Sequence, residues 1–494
     1  MNPLTRRAPK NKRQMRETGS FDTVRVQGHV NLPIGERVAV RFSGIGSEGD
    51  GHIRNSVDSR TFAEEDYGAF RASLRARPTS ALTVDLTAER LHDDGGGGEL
   101  WSPNRNFLPD PNDIWLTTVT LADPYLKIEH DIVSLDIERS FSQGTLTSIS
   151  GYVTSVVRDV DDCSSVPAQG CVRSYQPRAY EQRSHEIRFA SPASDRHDWI
   201  VGIYFLDADE QSNFRLGRAG MVALNDYSAD QQEKAAALFG QTAIDLTDRV
   251  TVNAGLRASY ERSELTQFGR GTNDHPVPGS VENDWDNTSW RIGFDYAPAG
   301  HVLYFASVAT GFKSGGAAGR RVTGEFDTFE PEQLLAYEVG AKFRAPGGRW
   351  AVQGSAFYYD FEDLQVVTTT STTTAPFIVF SVDNATDARI HGIDIAADLE
   401  IGGGLSFSGA VVWMPRREFV DFTSMATGDV LSGNVLSRAP EWTSSLSLAY
   451  VRPLRAIGSF SLRADYSFRS EFFFTKENEP ANSQSSFGLV DLVT

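Results

Sequence analysis

The stretch "AYEVGAKFRAPGGRWAVQGSAFYYDFE" (residues 336–362) contains two alternating segments joined by the turn sequence "APGG". Apolar residues occupy every second position of both segments: Tyr337, Val339, Ala341 and Phe343, then Trp350, Val352, Gly354 and Ala356. The positions between them are polar or charged: Glu338, Lys342, Arg344, Arg349, Gln353 and Ser355. A period of two predicts β-strands with one apolar and one polar face. Four aromatic residues between Phe357 and Phe361 end the pattern.

Composition excludes several classes of protein. The chain has 494 residues and a mean hydropathy of −0.32, and no apolar run approaches the roughly 18 residues of a membrane-spanning helix. The net charge of −18 argues against a nucleic-acid partner, because phosphate contacts need a basic surface. The chain has 43 glycines, which together with many Phe and Tyr residues favours numerous strands joined by tight turns.

The same alternation recurs along the chain, with apolar sets at 68–74, 82–88, 393–399 and 460–468. The opposite positions include charged residues such as Arg71, Asp85, Asp394 and Arg463. Such a face is too charged for a dry core. We therefore expect the charged face to line a wet interior and the apolar face to meet lipid.

Connections alternate between short and long. Short turns are predicted at 32–36, 77–81, 191–198, 246–249, 297–301, 345–348, 401–404 and 451–459. Long polar segments are predicted at 44–65, 92–126, 157–181, 208–229, 261–285, 310–332, 366–385, 415–435 and 471–485. This alternation is typical of transmembrane antiparallel β-barrels, here with about 20 strands. A soluble all-β protein is the alternative fold.

Six segments in order resemble the barrel of TonB-dependent outer-membrane receptors. They are "ATGFKSGG" (309–316), "FEPEQLLAYEVGAKF" (329–343), "AFYYDFEDLQV" (356–366), "DNATDARIHGIDIAADL" (383–399), "RAPEWTSSLSLAY" (438–450) and "LRADYSFRS" (462–470). The resemblance implies an all-β barrel of the 22-stranded type around an N-terminal plug domain. It also implies TonB-energised uptake of a scarce nutrient, most often a ferric siderophore, across the outer membrane of a Gram-negative bacterium.

The family plan leads us to expect parts outside this sequence. Residues 1–10 resemble the end of a plug domain, and residues 11–494 resemble a barrel that lacks its last two strands. We therefore expect the plug and its TonB box to lie outside this sequence. In the family, contact with the TonB–ExbB–ExbD complex runs through these two parts. The other expected partners are outer-membrane lipid and a small-molecule ligand.

Two local features are candidate sites. The segment "GFKSGGAAGRR" (311–321) offers Phe312, Lys313, Arg320 and Arg321 to an anionic ligand, although an ordinary extracellular loop is the alternative. The two cysteines, Cys163 and Cys171, lie in one predicted loop, where an oxidising compartment favours a disulfide over two free thiols.

No catalytic motif, metal-ligand spacing or cofactor motif is present, so we expect neither an enzyme nor a cofactor. A passive porin or other non-gated barrel is the alternative function, because it shares the alternating strands and aromatic girdles.

Overall fold

The computed structural model describes residues 12–96, 116–117, 124–162, 171–192, 194, 196–218, 225–270, 278–320, 326–372, 377–424, 428–454 and 458–493. Within these residues nearly all regular structure is β-strand, with one short 3-10 helix at Pro480–Asn482. No helix in the described ranges is long and apolar enough to cross a bilayer.

Twenty strands form one antiparallel sheet, as the alternation predicts. They are β1 (Lys12–Thr18), β2 (Val24–Ile34), β3 (Val38–Gly49), β4 (Glu65–Thr79), β5 (Leu82–Asp93), β6 (Tyr125–Phe141), β7 (Gly144–Asp162), β8 (Cys171–Ala190), β9 (His197–Arg218), β10 (Asn225–Thr247), β11 (Val250–Arg270), β12 (Gly279–Ala299), β13 (Val302–Lys313), β14 (Glu332–Arg344), β15 (Trp350–Thr372), β16 (Phe377–Gly402), β17 (Leu405–Asp421), β18 (Trp442–Pro453), β19 (Ser459–Arg469) and β20 (Phe487–Val493).

Each strand pairs with the one before and the one after it, so the sheet is a continuous meander. The register of β14 and β15 sets Val339 opposite Ala356 and Phe343 opposite Val352. No pairing joins β1 to β20 among the described residues, which leaves these two strands as the edges of the sheet. Short additional strands lie in four connections and form three small sheets. Ile53–Asn55 pairs with Thr61–Phe62 and with Leu116–Thr117, Gly316–Arg320 pairs with Phe326–Phe329, and Phe472–Phe473 pairs with Ser483–Gln484.

Register separates the two faces of the sheet over its whole width. Apolar residues meet apolar residues from strand to strand, as in the row that joins Phe343, Val352, Ala397 and Gly409. The charged residues of every predicted alternating segment lie on the other face. We call the two sides the apolar face and the polar face.

The apolar face has the height of a bilayer. On β11 its apolar run extends from Val250 to Tyr260, about 34 Å along the strand and about 26 Å along the membrane normal after a tilt of about 40°. The next residue on that face is Arg262, which lies opposite Lys234 of β10. The apolar face therefore ends in a charged rim on the side of the long connections.

Ion pairs fill this charged rim, which we define by three pairs of apolar-face residues. Lys234 lies 4.0 Å from Asp207, Arg262 lies 2.6 Å from Glu282, and Arg389 lies 3.0 Å from Asp360. Side chains of this kind belong in water, so the strands continue beyond the bilayer at this end.

Strand length is where the sequence-based prediction was wrong. Much of each segment expected as a long loop is strand: 208–229 contains the end of β9 and the start of β10. β16 alone has 26 residues, whereas about 10 cross a membrane. The cause is that outside the bilayer both faces are polar, so the strand carries no alternating signal. A turn at 142–143, between β6 and β7, was also missed.

The aromatic cluster of residues 357–361 does not form one surface. Tyr358 lies on the apolar face opposite Tyr337, with ring centroids 6.2 Å apart. Phe357 and Tyr359 stack on the polar face at 5.0 Å. The expectation that the whole cluster lies at the membrane interface was wrong, because period two sends neighbouring side chains to opposite faces.

Candidate functional site

The polar face carries cross-strand ion pairs between β4 and β5. Arg75 on β4 bonds Asp85 on β5 at 2.6 Å, and Arg71 bonds Glu89 two positions further along the same face. Arg463, Asp465 and Arg469 share this face, opposite the row of Tyr466 and Leu446. Exposed pairs of this kind require a hydrated interior, which confirms the predicted division into two faces.

Of the four predicted ligand candidates in 311–321, the structure describes the side chains of Phe312 and Lys313, which lie on opposite faces of β13. Phe312 continues the apolar-face row of Tyr304 and Val308, whereas Lys313 lies on the polar face opposite Glu332. Arg320 ends a short strand whose backbone pairs with Phe326, and its side chain is not described. Arg321 lies outside the described residues. A ligand role for these four residues stays a prediction.

The predicted disulfide is not tested. Cys163 lies outside the described residues, and Cys171 begins β8, where its main chain pairs with Arg218. A disulfide between Cys163 and Cys171 stays a prediction. The expected plug remnant at residues 1–10 also lies outside the described residues.

The connection between β13 and β14 folds back over the strand ends. The Gln365 side-chain amide donates to the Ser314 carbonyl at 2.8 Å and to the Glu330 carbonyl at 3.1 Å. The Asn384 amide donates to the Glu330 carbonyl at 2.9 Å and to that of Asp363 at 2.8 Å. These bonds fix the loop at the mouth of the interior.

A glycine allows this close approach. A Cβ atom on Gly315 would lie 2.4 Å from the Phe329 carbonyl oxygen and 2.8 Å from the Trp285 ring. Both distances are far below van der Waals contact, so no other residue fits without moving the backbone.

Two further connections pack against each other at the same end. Asn478 accepts a bond from the Val435 N–H at 2.6 Å and donates to the Val435 carbonyl at 2.9 Å. Residues 422–441 also carry Phe422 and Leu431 onto Phe419 of β17, which forms the buried hydrophobic cluster of the polar face. Sequence reading missed this cluster, because its members come from β16, from β17 and from the connection that follows β17.

Charged groups inside this packed region are compensated. Lys476 is only 3% exposed and lies 3.2 Å from the Glu477 carboxylate. Burial alone would raise the pKa of Glu477, but hydrogen bonds from its own backbone N–H and Thr475, together with Lys476, hold that pKa below its ordinary value. Burial lowers the pKa of Arg417, whose guanidinium donates to the Ala439 carbonyl at 2.6 Å.

A carboxylate cluster lies on the polar face at the level of the charged rim. Glu233 is next to Lys234, beyond the end of the apolar run, and has Glu210 and Glu261 as its diagonal neighbours on the two adjacent strands. Burial and then these two carboxylates raise the pKa of Glu233, against a 2.8 Å bond from the Gln231 amide. Three carboxylates without a cation do not make a metal site, and no group of His, Cys, Asp or Glu in the described ranges is arranged to hold one.

Comparison with known proteins places this wall in a family. The family model described as TonB dependent receptor-like, beta-barrel matches residues 69–494. Among solved structures, the ferric yersiniabactin uptake receptor FyuA from Yersinia pestis is similar with a TM-score of 0.82 and 18% identity, covering 98% of this chain and 72% of that chain.

Two other solved structures show the same architecture. The siderophore receptor PiuA from Acinetobacter baumannii matches with a TM-score of 0.79 and 14% identity, over 98% of this chain and 75% of that chain. The copper transporter OprC matches with a TM-score of 0.71 and 10% identity, over 97% of this chain and 71% of that chain. At such low identity these likenesses show the fold, a β-barrel wall whose polar face is the interior.

Proposed function

The chain belongs to the TonB-dependent receptor-like β-barrel family, and from this membership we propose that it forms the wall of an outer-membrane receptor for energised uptake of a scarce nutrient. The family match over residues 69–494 is the observation that carries the proposal. Members of this family are receptors and transporters rather than enzymes.

A ferric siderophore or similar iron complex is the proposed substrate class. FyuA is named for uptake of ferric yersiniabactin and PiuA for a siderophore, whereas OprC is named for copper. The fold that these proteins share therefore does not determine the substrate. Selection instead falls to side chains at the mouth and on the interior face, where loops vary most.

Lipid contact supports the proposed location in the outer membrane of a Gram-negative bacterium. Val339, Ile395 and Leu448 are exposed on the apolar face although large and hydrophobic. Tyr296 and Tyr304 stack near the short-turn end, and Trp413 and Trp442 stack near the other end. Aromatic side chains at two levels are the girdles of an outer-membrane barrel.

Energy for uptake is proposed to come from the TonB–ExbB–ExbD complex, acting through a plug and a TonB box. The wall described here contributes the channel.

The test is growth under iron limitation. Cells that lack their own ferric receptors and produce this protein are supplied in turn with catecholate, carboxylate and hydroxamate ferric complexes, haem and cobalamin. We expect growth with at least one ferric complex. Growth with none of them contradicts the proposed substrate class, and sugar-dependent swelling of protein-containing liposomes would favour the passive porin.

A further inference from the structure

The apolar face carries almost no charge between the charged rim and the short turns. Among the residues that the strand registers assign to this part of the face, none with a described side chain is an aspartate, a glutamate or a lysine. Two are arginines, Arg139 of β6 and Arg452 of β18. Each lies within three residues of a short turn, so the two arginines share one level of the wall.

Register places Arg139 on the lipid side. It pairs with Leu82 of β5 and with Leu146 of β7, and both leucines belong to the apolar face. Its guanidinium carbon lies 4.9 Å from the ring centroid of Phe141, which is 42% exposed on the same face. Cation–π attraction to this ring and packing against the two leucines orient the guanidinium.

Arg452 has a similar apolar setting. It is exposed and pairs with Phe460 of β19, which is 45% exposed. The Phe460 ring centroid lies 6.4 Å from that of Tyr450, the next residue on the apolar face of β18. Neither Arg139 nor Arg452 has a hydrogen bond or an ion pair from its side chain to another residue of the described chain.

The charged rim differs from this level in its pairing. Each of the three basic residues that define the rim has a carboxylate within 4.0 Å. Arg344, at the same end as Arg139 and Arg452, also has no ion pair in the described chain, but its register with Ala351 places it on the polar face. Arg139 and Arg452 are therefore distinguished by an unpaired guanidinium on the side that meets lipid.

The level of Arg139 is a boundary of the hydrocarbon layer. On the lipid side of β6 it is followed by Ile137, Leu135 and Val133, and then by Asp131, which ends the apolar run. From Arg139 to Asp131 the strand spans about 27 Å, or about 20 Å along the membrane normal at a tilt of about 40°. An arginine is tolerated on the lipid side near such a boundary, because its guanidinium reaches the headgroups while its methylene groups stay in hydrocarbon.

We infer that Arg139 and Arg452 bind the phosphate groups of phospholipids in the periplasmic leaflet of the outer membrane. The inference rests on the proposed location of the wall, with its short turns towards the periplasm. A guanidinium binds a phosphodiester by charge-assisted, bidentate hydrogen bonds, and the aromatic side chains beside it pack against the acyl chains. Anionic phosphatidylglycerol gains more than zwitterionic phosphatidylcholine, because the phosphate of the zwitterion is already paired with its own ammonium group.

Lipid binding to the purified protein in dodecyl maltoside tests this inference. The probes are dimyristoyl phosphatidylglycerol and dimyristoyl phosphatidylcholine, and native mass spectrometry counts the lipids bound at each concentration. We expect R139Q/R452Q to bind phosphatidylglycerol at least about fivefold more weakly and to lose the preference for it over phosphatidylcholine. R139K/R452K keeps the charge and is expected to stay within about threefold of the parent. R344Q removes an unpaired arginine from the polar face at the same end, so it is the matched control and is expected to bind like the parent.

An excess of inorganic phosphate distinguishes a lipid site from a site for free phosphate. We expect no displacement of phosphatidylglycerol, because the acyl chains contribute to its binding. Displacement by inorganic phosphate would assign the two arginines to free phosphate and overturn the lipid assignment.

Equal binding of phosphatidylglycerol by the parent and by R139Q/R452Q overturns the inference, and so does a parent that does not prefer phosphatidylglycerol. An equal loss in R344Q also overturns it, because the face of the arginine would then not matter. Heat-modifiable migration confirms that each variant is folded. If these binding results fail while the parent supports growth on a ferric complex, the lipid sites are wrong and the receptor assignment stands; selective lipid binding without growth leaves the lipid sites and contradicts uptake.

Discussion

A charge placed in the centre of the apolar face tests the assignment of the two faces. Ile395 lies midway along the apolar run of β16, opposite Gly354 and Val411, and is 49% exposed. Ala396, the next residue, lies on the interior face between Asp394 and Asp398. Ile395→Arg therefore puts a guanidinium into hydrocarbon, whereas Ala396→Arg puts it into water beside two carboxylates.

The magnitudes differ strongly. An arginine at the midplane of a lipid-facing barrel surface costs about 2–4 kcal/mol. That cost reduces the folding equilibrium constant about 30- to 700-fold. In the interior, the same side chain gains two nearby carboxylates in a hydrated environment, so Ala396→Arg is expected to change stability by less than about 1 kcal/mol.

The assay is urea-dependent folding into short-chain phosphatidylcholine vesicles, followed by tryptophan fluorescence and by heat-modifiable migration. The two variants differ by one position on one strand, so differences in expression or strand propensity largely cancel. Equal destabilisation by both, or a larger effect of Ala396→Arg, would refute the assignment of faces.

Three other perturbations follow from the described contacts. Burial raises the pKa of Glu233, so the folded protein keeps a proton there that the unfolded chain releases as the pH rises above the ordinary value of 4.5. This group therefore destabilises the folded protein in neutral solution. Glu233→Gln is expected to raise the urea midpoint at about pH 7 and to leave it unchanged at about pH 4. Asn478→Ala removes both hydrogen bonds to Val435 and leaves a positive φ of 55° on a residue with a Cβ. We expect the free energy of local opening of residues 428–441 to fall by about 1–3 kcal/mol, which is measured as faster hydrogen exchange. Asn478→Gly is the control for the backbone conformation. Cys163 and Cys171 are expected to form a disulfide in exported protein. Peptide mass spectrometry without reductant would contradict this by finding two free thiols. Serine at both positions is expected to lower the free energy of unfolding by about 2–3 kcal/mol.

The division into faces was predictable because it depends only on local alternation. Tyr337, Val339 and Phe343 have no freedom to change sides once the segment is a strand. Within the bilayer, apolar and polar solvents differ enough to leave a clear period in the sequence. Beyond the bilayer both faces meet water, and for that reason the ends of β9, β10 and β16 next to the long connections were interpreted as loops.

The ion pairs of the polar face were not predictable from sequence, because they depend on register. Arg75 and Asp85 lie on β4 and β5, and a shift of two residues in the pairing of these strands would separate them in space. The ligand role of the segment 311–321 stays a prediction, and Phe312 and Lys313 lie on opposite faces of one strand.

Uptake of a ferric complex in paired strains tests the central claim most directly. Cells that produce this protein, with and without a functional TonB, receive the complex that supports growth, labelled with radioactive iron. We expect accumulation against a gradient only in the strain with TonB, and its loss when the proton gradient is collapsed. Equal uptake in both strains would contradict energised uptake and identify the protein as a passive channel.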